Sequence, residues 1–304
     1  MHELDHALAR LADDLGPHGE PVPLDGGITN RNFRVAFGDR DYVVRIAGKD
    51  TALLGIDRRA EGAAARLAAD VGVGAEVAAQ LEDPPCLVTR FVAGRPAEPA
   101  DLREPRALAA VAALLRAVHD SGAQLPVAFS PFRNVEAYAR TVTERGATLP
   151  AGHIDAAARA RAVEAALRGP EHAPVPCHDD LLAANFILDG DEMRIVDWEY
   201  AGMGDRFFDL GNFAVNNELS EDQEAALLSA YFAELPDVRR LAALRLMRFM
   251  SDFREAMWGA VQSVASDLDF DFSGYTREHF ERLRETAADP RFDSWLQEAR
   301  GAHA

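Results

Sequence analysis

Hydrophobic and polar positions alternate with two different periods along this chain. Leu4, Leu8, Leu11 and Leu15 share one face of a helix over residues 3–15, which Gly16-Pro17 ends. Strands are predicted at 33–37 and 42–46, joined by the turn residues Gly38-Asp39-Arg40-Asp41. In the second strand, Val43 and Arg45 take one face, and Tyr42, Val44 and Ile46 the other. Ala60, Ala63, Ala64, Leu67 and Ala68 predict a helix over 57–70. Gly72, Gly74 and Val77 lead into further short strands, including the apolar run 87–92, and Ala93-Gly94-Arg95-Pro96 breaks the pattern. Helical spacing then dominates. Leu108, Val111, Leu114, Leu115 and Val118 form one face, whereas 150–168 is rich in Ala and Arg without an informative stripe. The apolar runs 186–188 and 193–196 flank Asp189-Gly190-Asp191 and read as a hairpin. Ser220-Glu221-Asp222 starts a helix, 238–265 is a long proline-free one, and 275–283 is a shorter aromatic one.

This order predicts an α+β chain. A small antiparallel-sheet lobe occupies residues 1–93, and a larger, mostly helical lobe occupies 94–304. Its 304 residues, 48% of them hydrophobic, supply enough core for two lobes. The formal charge of −18 argues against a nucleic-acid partner, which needs a basic surface, and suits a cationic substrate or plain solubility. No apolar run has transmembrane length, so no membrane insertion is expected, and Met1-His2-Glu3-Leu4-Asp5 does not resemble a signal peptide. Two distant cysteines, Cys86 and Cys177, suggest a reducing compartment and a cytoplasmic location. Lys49 is the single lysine, so nearly all positive charge is arginine.

The candidate chemistry lies between Cys177 and Tyr200. His178, Asp180 and Asn185 stand in the pattern H-x-D-x-x-x-x-N, and Asp197 follows the second arm of the hairpin. Asp180, Asn185 and Asp197 can therefore converge at one end of that hairpin. Hard oxygen donors with a spare carboxylate suit ATP and Mg2+.

The pattern resembles the catalytic loop and metal segment of the protein-kinase-like phosphotransferases. Asp197-Trp198-Glu199-Tyr200 in place of D-F-G looks like the small-molecule branch, the aminoglycoside phosphotransferases and choline/ethanolamine kinases. The resemblance implies a two-lobed protein-kinase-like fold with ATP between the lobes. Asp180 takes the position of the catalytic base, and Asn185 and Asp197 those of the magnesium ligands. The run from Gly26 and Gly27 through Thr29 and Asn30 resembles the nucleotide loop of choline-kinase-like proteins, and glycine there lets backbone amides approach phosphate.

Arg45 takes the place of the phosphate-binding lysine, a departure from protein kinases that a guanidinium can serve; a solvated edge arginine is the other reading. Glu61 matches the helix glutamate that pairs with that cation, although a first-turn glutamate also stabilises a helix by itself. The backbone near Arg90, Phe91 and Val92 is expected to face adenine. His119 reads as a hydrogen-bonded core histidine. Asp209 reads either as a support for the catalytic-loop backbone or as a helix N-cap.

Trp258, Gln262 and Tyr275 match the substrate-pocket helix of choline/ethanolamine kinases, although an aromatic stripe also suits a core. Glu255 stands where animal choline kinases have a second tryptophan, and Asn216 where they have an acidic residue. The expected reaction is transfer of the γ-phosphoryl group to a small-molecule cationic alcohol, choline or ethanolamine, with Glu255 thinning the aromatic cage and adding an acceptor. An aminoglycoside or another amino-alcohol is the alternative acceptor. A catalytically silent ATP-binding regulator is the alternative class.

Overall fold

The computed structural model describes residues 2–24, 30–48 and 51–300. Helix α1 (His2–Leu15) precedes strands β1 (Val22–Leu24), β2 (Asn30–Phe37) and β3 (Arg40–Ala47). Helix α2 (Arg58–Asp70) and strands β4 (Val77–Glu82) and β5 (Pro85–Arg90) follow. The five strands form one antiparallel sheet in the order β1-β2-β3-β5-β4. Tyr42, Val44 and Ile46 are buried with Leu4, Leu8 and Leu11 of α1, as the alternation predicts. The opposite face of β3 carries Val43 and Arg45. Asp57 starts α2 by accepting from the amides of Arg59 and Ala60 at 2.8 and 2.9 Å.

After 91–94 come β6 (Arg95–Pro96) and the helices α3 (Pro99–Leu102), α4 (Pro105–His119), α5 (Pro131–Glu144) and α6 (His153–Ala166). Four short strands come next: β7 (Val175–Cys177), β8 (Phe186–Asp189), β9 (Glu192–Ile195) and β10 (Gly202–Gly204). The chain closes with α7 (Arg206–Asn216), α8 (Glu221–Phe232), α9 (Val238–Ala265), α10 (Phe272–Ala288) and α11 (Phe292–Arg300). This is the protein-kinase-like arrangement, an antiparallel sheet ahead of a helical region.

Helix α9 is the axis of the larger lobe. Asp237 caps it through the Arg240 amide at 2.8 Å, and Phe249 through Gln262 are buried on every side. A helix buried all round needs neighbours on all faces, and α5, α7, α10 and α11 supply them. Gly211 lets α7 cross closely, since a Cβ there would stand 2.8 Å from the Met247 backbone.

One helix lies where the sequence is helical but carries no stripe, and another is longer than expected. Residues 150–168 contain α6, whose buried face is Ala156, Ala160, Val163 and Ala166; alanine is too small to mark a stripe. Helix α10 is longer than 275–283 because Asp271 caps it through the Gly274 amide at 2.8 Å, and its last turn is largely polar.

Candidate active site

The β8–β9 hairpin pairs Phe186 with Ile195 and turns at Gly190, whose φ of 61° is open to glycine at no steric cost. Asp197 follows directly with φ 69°, and Asp179 has φ 68°. Left-handed backbone is costly for these residue types and collects where surrounding contacts impose it. Here those contacts are visible. The Asn185 amide nitrogen donates to the Asp180 carbonyl at 2.8 Å, and the Val196 amide donates to the Asn185 carbonyl at 2.9 Å. His178 Nε2 lies 2.9 Å from the Val196 carbonyl, and His178 Nδ1 lies 3.2 Å from the Asp180 amide. A carbonyl only accepts and an amide only donates, so the imidazole proton sits on Nε2. Burial holds the His178 pKa below its ordinary value, consistent with a neutral ring.

Helix α7 supports this loop from below. Asp209 accepts from the amides of His178 and Asp179 at 2.9 and 2.7 Å, and from His119 Nε2 at 3.0 Å. Asn212 accepts from the Leu181 amide at 2.5 Å. Of the two readings of Asp209, the loop support is the observed one; the cap of α7 is Asp205, bonded to the Phe207 amide at 2.9 Å. Burial opposes the charge on Asp209, but the bond from His119 and the other donors outweigh it and keep the carboxyl below its usual range. Burial, with Asp209 beside it, pushes the Asp179 carboxyl well up.

The small lobe meets this segment through arginine. Arg45 Nη1 lies 2.6 Å from Asp197 Oδ1 and 2.9 Å from Glu61 Oε1. Burial works against the guanidinium charge, yet Asp197 and Glu61 raise its pKa above the ordinary value. Arg58 extends the network, reaching Glu61 at 2.8 Å, Glu199 at 3.3 Å and the Asn30 side-chain Oδ1 at 2.8 Å. Asn30 in turn donates to Glu199 at 2.8 Å. Beside this network a cleft of about 450 Å³ opens between the lobes, lined by Val43, Arg45, Arg90, Phe91, Val92, Asn185, Ile195 and Asp197 among others. Its walls are mainly apolar with a few polar side chains, the usual composition of a small-molecule site.

On the other side of Asp180 lies α9. Arg254 Nη1 is 3.4 Å from Asp180 Oδ1 and is also bonded to Glu255 Oε1. The Tyr275 hydroxyl donates to Glu255 Oε2 at 2.7 Å. Trp258 Nε1 donates to the Tyr200 hydroxyl at 2.8 Å, and its ring stands edge-on to Tyr275 at 5.6 Å. Gln262 is buried one turn further along the same face of α9. Burial raises the Asp180 carboxyl above its usual range, Arg254 opposes that, and Glu255 and Asp197 add to it. Burial also opposes the charge on Glu255, but Arg254 outweighs it and holds that carboxyl low.

Arg45, Glu61, Asn185 and Asp197 are thus brought together, Arg90, Phe91 and Val92 line the cleft, and Glu255, Trp258, Gln262 and Tyr275 share one helical corner beyond Asp180. Gly26, Gly27 and Thr29 lie outside the described residues, as does Lys49. Both Glu255 oxygens are engaged within the protein. Sequence reasoning missed Arg58, Tyr200, Asn212 and Arg254. Arg254 stands between Asp252 and Glu255 on α9, so no isolated charge marks it in the sequence.

The site could hold a divalent cation. The donor end of the Asn185 amide is tied to the Asp180 carbonyl, which turns its oxygen the other way, and Asp197 adds a carboxylate at the same end of the cleft.

Fold and site together define a phosphotransferase of the protein-kinase-like class. The profile described as "Phosphotransferase enzyme family" matches residues 20–244, and the chain belongs to that family, in its choline/ethanolamine kinase branch. The crystal structure of a choline/ethanolamine kinase family protein from Mesorhizobium loti is 32% identical, with a TM-score of 0.83 over 98% of this chain and 99% of that one. Human ethanolamine kinase 2 is 27% identical over 300 residues, 88% of this chain and 77% of its own length. Choline kinase LicA from Streptococcus pneumoniae shares the fold at 21% identity, with a TM-score of 0.80 over 95% of this chain and 99% of that one. Among the described residues, no helix is long and apolar enough to cross a membrane.

Proposed function

We propose that the protein transfers the γ-phosphoryl group of ATP to the hydroxyl of an amino-alcohol, with choline and ethanolamine as the acceptors. The observation that carries this reading is the position of Asp180. Its carbonyl is tied to Asn185 at 2.8 Å on the cleft side, while its carboxylate is 3.4 Å from Arg254 on the side of Glu255, Tyr275 and Trp258. One residue therefore joins the oxygen-rich end of the cleft to an acidic and aromatic corner. Related structures lend support: LicA is described in complex with AMP, and spectinomycin phosphotransferase with ADP and spectinomycin.

In this reading Asp180 orients the acceptor hydroxyl and takes its proton as the oxygen bonds to the γ-phosphorus. The bond from that phosphorus to the bridging oxygen breaks, and ADP leaves. Arg45 sits at the phosphate end of the cleft, and Phe91 and Val92 flank the base. Asn185 and Asp197 would hold a magnesium ion, which when bound neutralises phosphate charge. The remaining work is positioning and charge stabilisation. The test is a coupled ADP-release assay with choline, ethanolamine and a panel of aminoglycosides. Turnover on either amino-alcohol supports the proposal, and turnover confined to aminoglycosides overturns it.

A further inference from the structure

We infer that Arg254 is a positioning residue that holds the Asp180 carboxylate in its working orientation. The inference rests on the phosphotransfer reading above. Arg254 is among the largest fully buried side chains of the protein, at 1% exposure. Its guanidinium lies 4.3 Å over the Tyr200 ring, and the Tyr200 hydroxyl is in turn fixed by Trp258 Nε1 at 2.8 Å. Stacking sets the plane of the fork, and Nη1 then reaches both Asp180 and Glu255. Among the described residues no other side chain bonds to the Asp180 carboxylate.

The arrangement is expensive for a purely structural one. Arg254 Nε and Nη2 are buried without a well-formed hydrogen bond, the Tyr138 hydroxyl being a further electrostatic neighbour of the guanidinium. Each such donor gives up its hydration for little return. A bond between Arg254 and Glu255 would not by itself justify that cost, because an apolar pair of similar volume packs at least as well in most interiors. The contact that an apolar replacement could not supply is the one to Asp180. Tyr200 belongs to the same device. It follows the Asp197-Trp198-Glu199 segment directly, so the ring that sets the guanidinium plane is carried by the same stretch as the cleft carboxylates.

Residues that act as a unit have non-additive effects on turnover, so a double-mutant cycle tests the inference. The variants are Arg254→Lys, Arg254→Met, Asp180→Asn and the two combinations, in the full chain. Arg254→Lys keeps a buried cation and guards against loss of folding in Arg254→Met. In the Asp180 background, kcat for the amino-alcohol should fall by about tenfold or more with Lys, and KM for ATP should stay within about twofold. In the Asp180→Asn background the same substitution should change kcat by less than about twofold, because nothing is left to position. An equal factor in both backgrounds makes Arg254 structural only and overturns the inference while leaving the reaction intact. An Asp180→Asn variant with wild-type kcat overturns the phosphotransfer reading and the inference together.

Discussion

Arg45 and Asp197 come from opposite walls of the cleft and meet at 2.6 Å, and the same guanidinium nitrogen reaches Glu61 at 2.9 Å. The side chains are 13%, 21% and 3% exposed in the order Arg45, Asp197, Glu61, so the pair is largely shielded from water. Charge at this depth is tolerated because it is matched. Arg45→Met would leave Glu61 and Asp197 facing each other without their common partner. Breaking a buried ion pair from one side costs about 3–5 kcal/mol. The variant should therefore unfold at markedly lower urea, and its KM for ATP should rise by tenfold or more, on the order of one phosphate contact. Unchanged urea midpoint and unchanged KM together would show that Arg45 is a solvated edge residue after all.

Asp180→Asn should leave nucleotide binding nearly intact while turnover drops about 10²- to 10⁴-fold, the usual contribution of a positioned base. The amide keeps the shape and loses the proton acceptor. Calorimetric titration with ATP, beside steady-state kinetics on the amino-alcohol, separates the two effects. Loss of ATP binding in proportion to turnover would count against the role.

Asp197→Ala acts at the other end of the cleft. It should weaken ATP binding in the presence of magnesium and make little difference in its absence, because the carboxylate is assigned to the ion. Titrating nucleotide with and without magnesium on wild type and variant gives the comparison. A variant whose binding keeps the full wild-type response to magnesium removes Asp197 from that assignment.

Much of this geometry was legible in the sequence, for reasons that also explain the gaps. The hairpin that ends at Asp197 announces itself through turn chemistry between two apolar runs, and Arg45 through period-2 alternation. Both signals are local. Asn212 and Arg254 act on residues 31 and 74 positions away, Leu181 and Asp180 respectively. No spacing within their own helices points there. Glu255 was legible as a departure from an aromatic cage but not as a side chain with both oxygens engaged, since Tyr275 reaches it only when α10 folds back on α9, and the rotamer that joins it to its neighbour Arg254 leaves no mark in the sequence. The Asp205 cap of α7 was hidden for a different reason. Asp205 and Asp209 both stand near the start of the helix, and only the backbone shows which one precedes it.

Asp209 makes a prediction about pH. Its folded pKa is depressed: burial alone would raise it, and the bonds from His119 and the loop amides reverse the sign. The unfolded value is about 3.9. The stabilisation is therefore fully present above about pH 4 and is lost as pH falls through the lower folded pKa. Asp209→Asn turns an acceptor of two backbone donors into a group with donors of its own, at a cost of about 1–3 kcal/mol near neutrality. The melting-temperature gap between wild type and variant should be wide at pH 7 and close progressively below pH 4. A gap that stays constant from pH 7 to pH 3 would mean that the carboxylate charge is not what holds the loop.

Trp258 tests the acceptor. A quaternary ammonium has no hydrogen to donate and is recognised by aromatic faces and nearby carboxylates, whereas a primary ammonium can bond to oxygen directly. At this corner the aromatic rings are Trp258 and Tyr275, since Arg254 already stacks on Tyr200, and the Glu255 carboxylate is committed to Arg254 and Tyr275. Choline therefore depends on the rings more than ethanolamine does. A cation–π contact contributes about 0.5–2 kcal/mol, which corresponds to about 2- to 30-fold in affinity. Trp258→Leu keeps an apolar side chain and removes the π-face and the bond to Tyr200. Its KM for choline should rise within that range, its KM for ethanolamine should rise less, and its KM for ATP should stay within about twofold. Steady-state kinetics on both alcohols decides the matter. Equal increases for choline and ethanolamine would assign Trp258 to packing, and no change for either would place it outside the acceptor site.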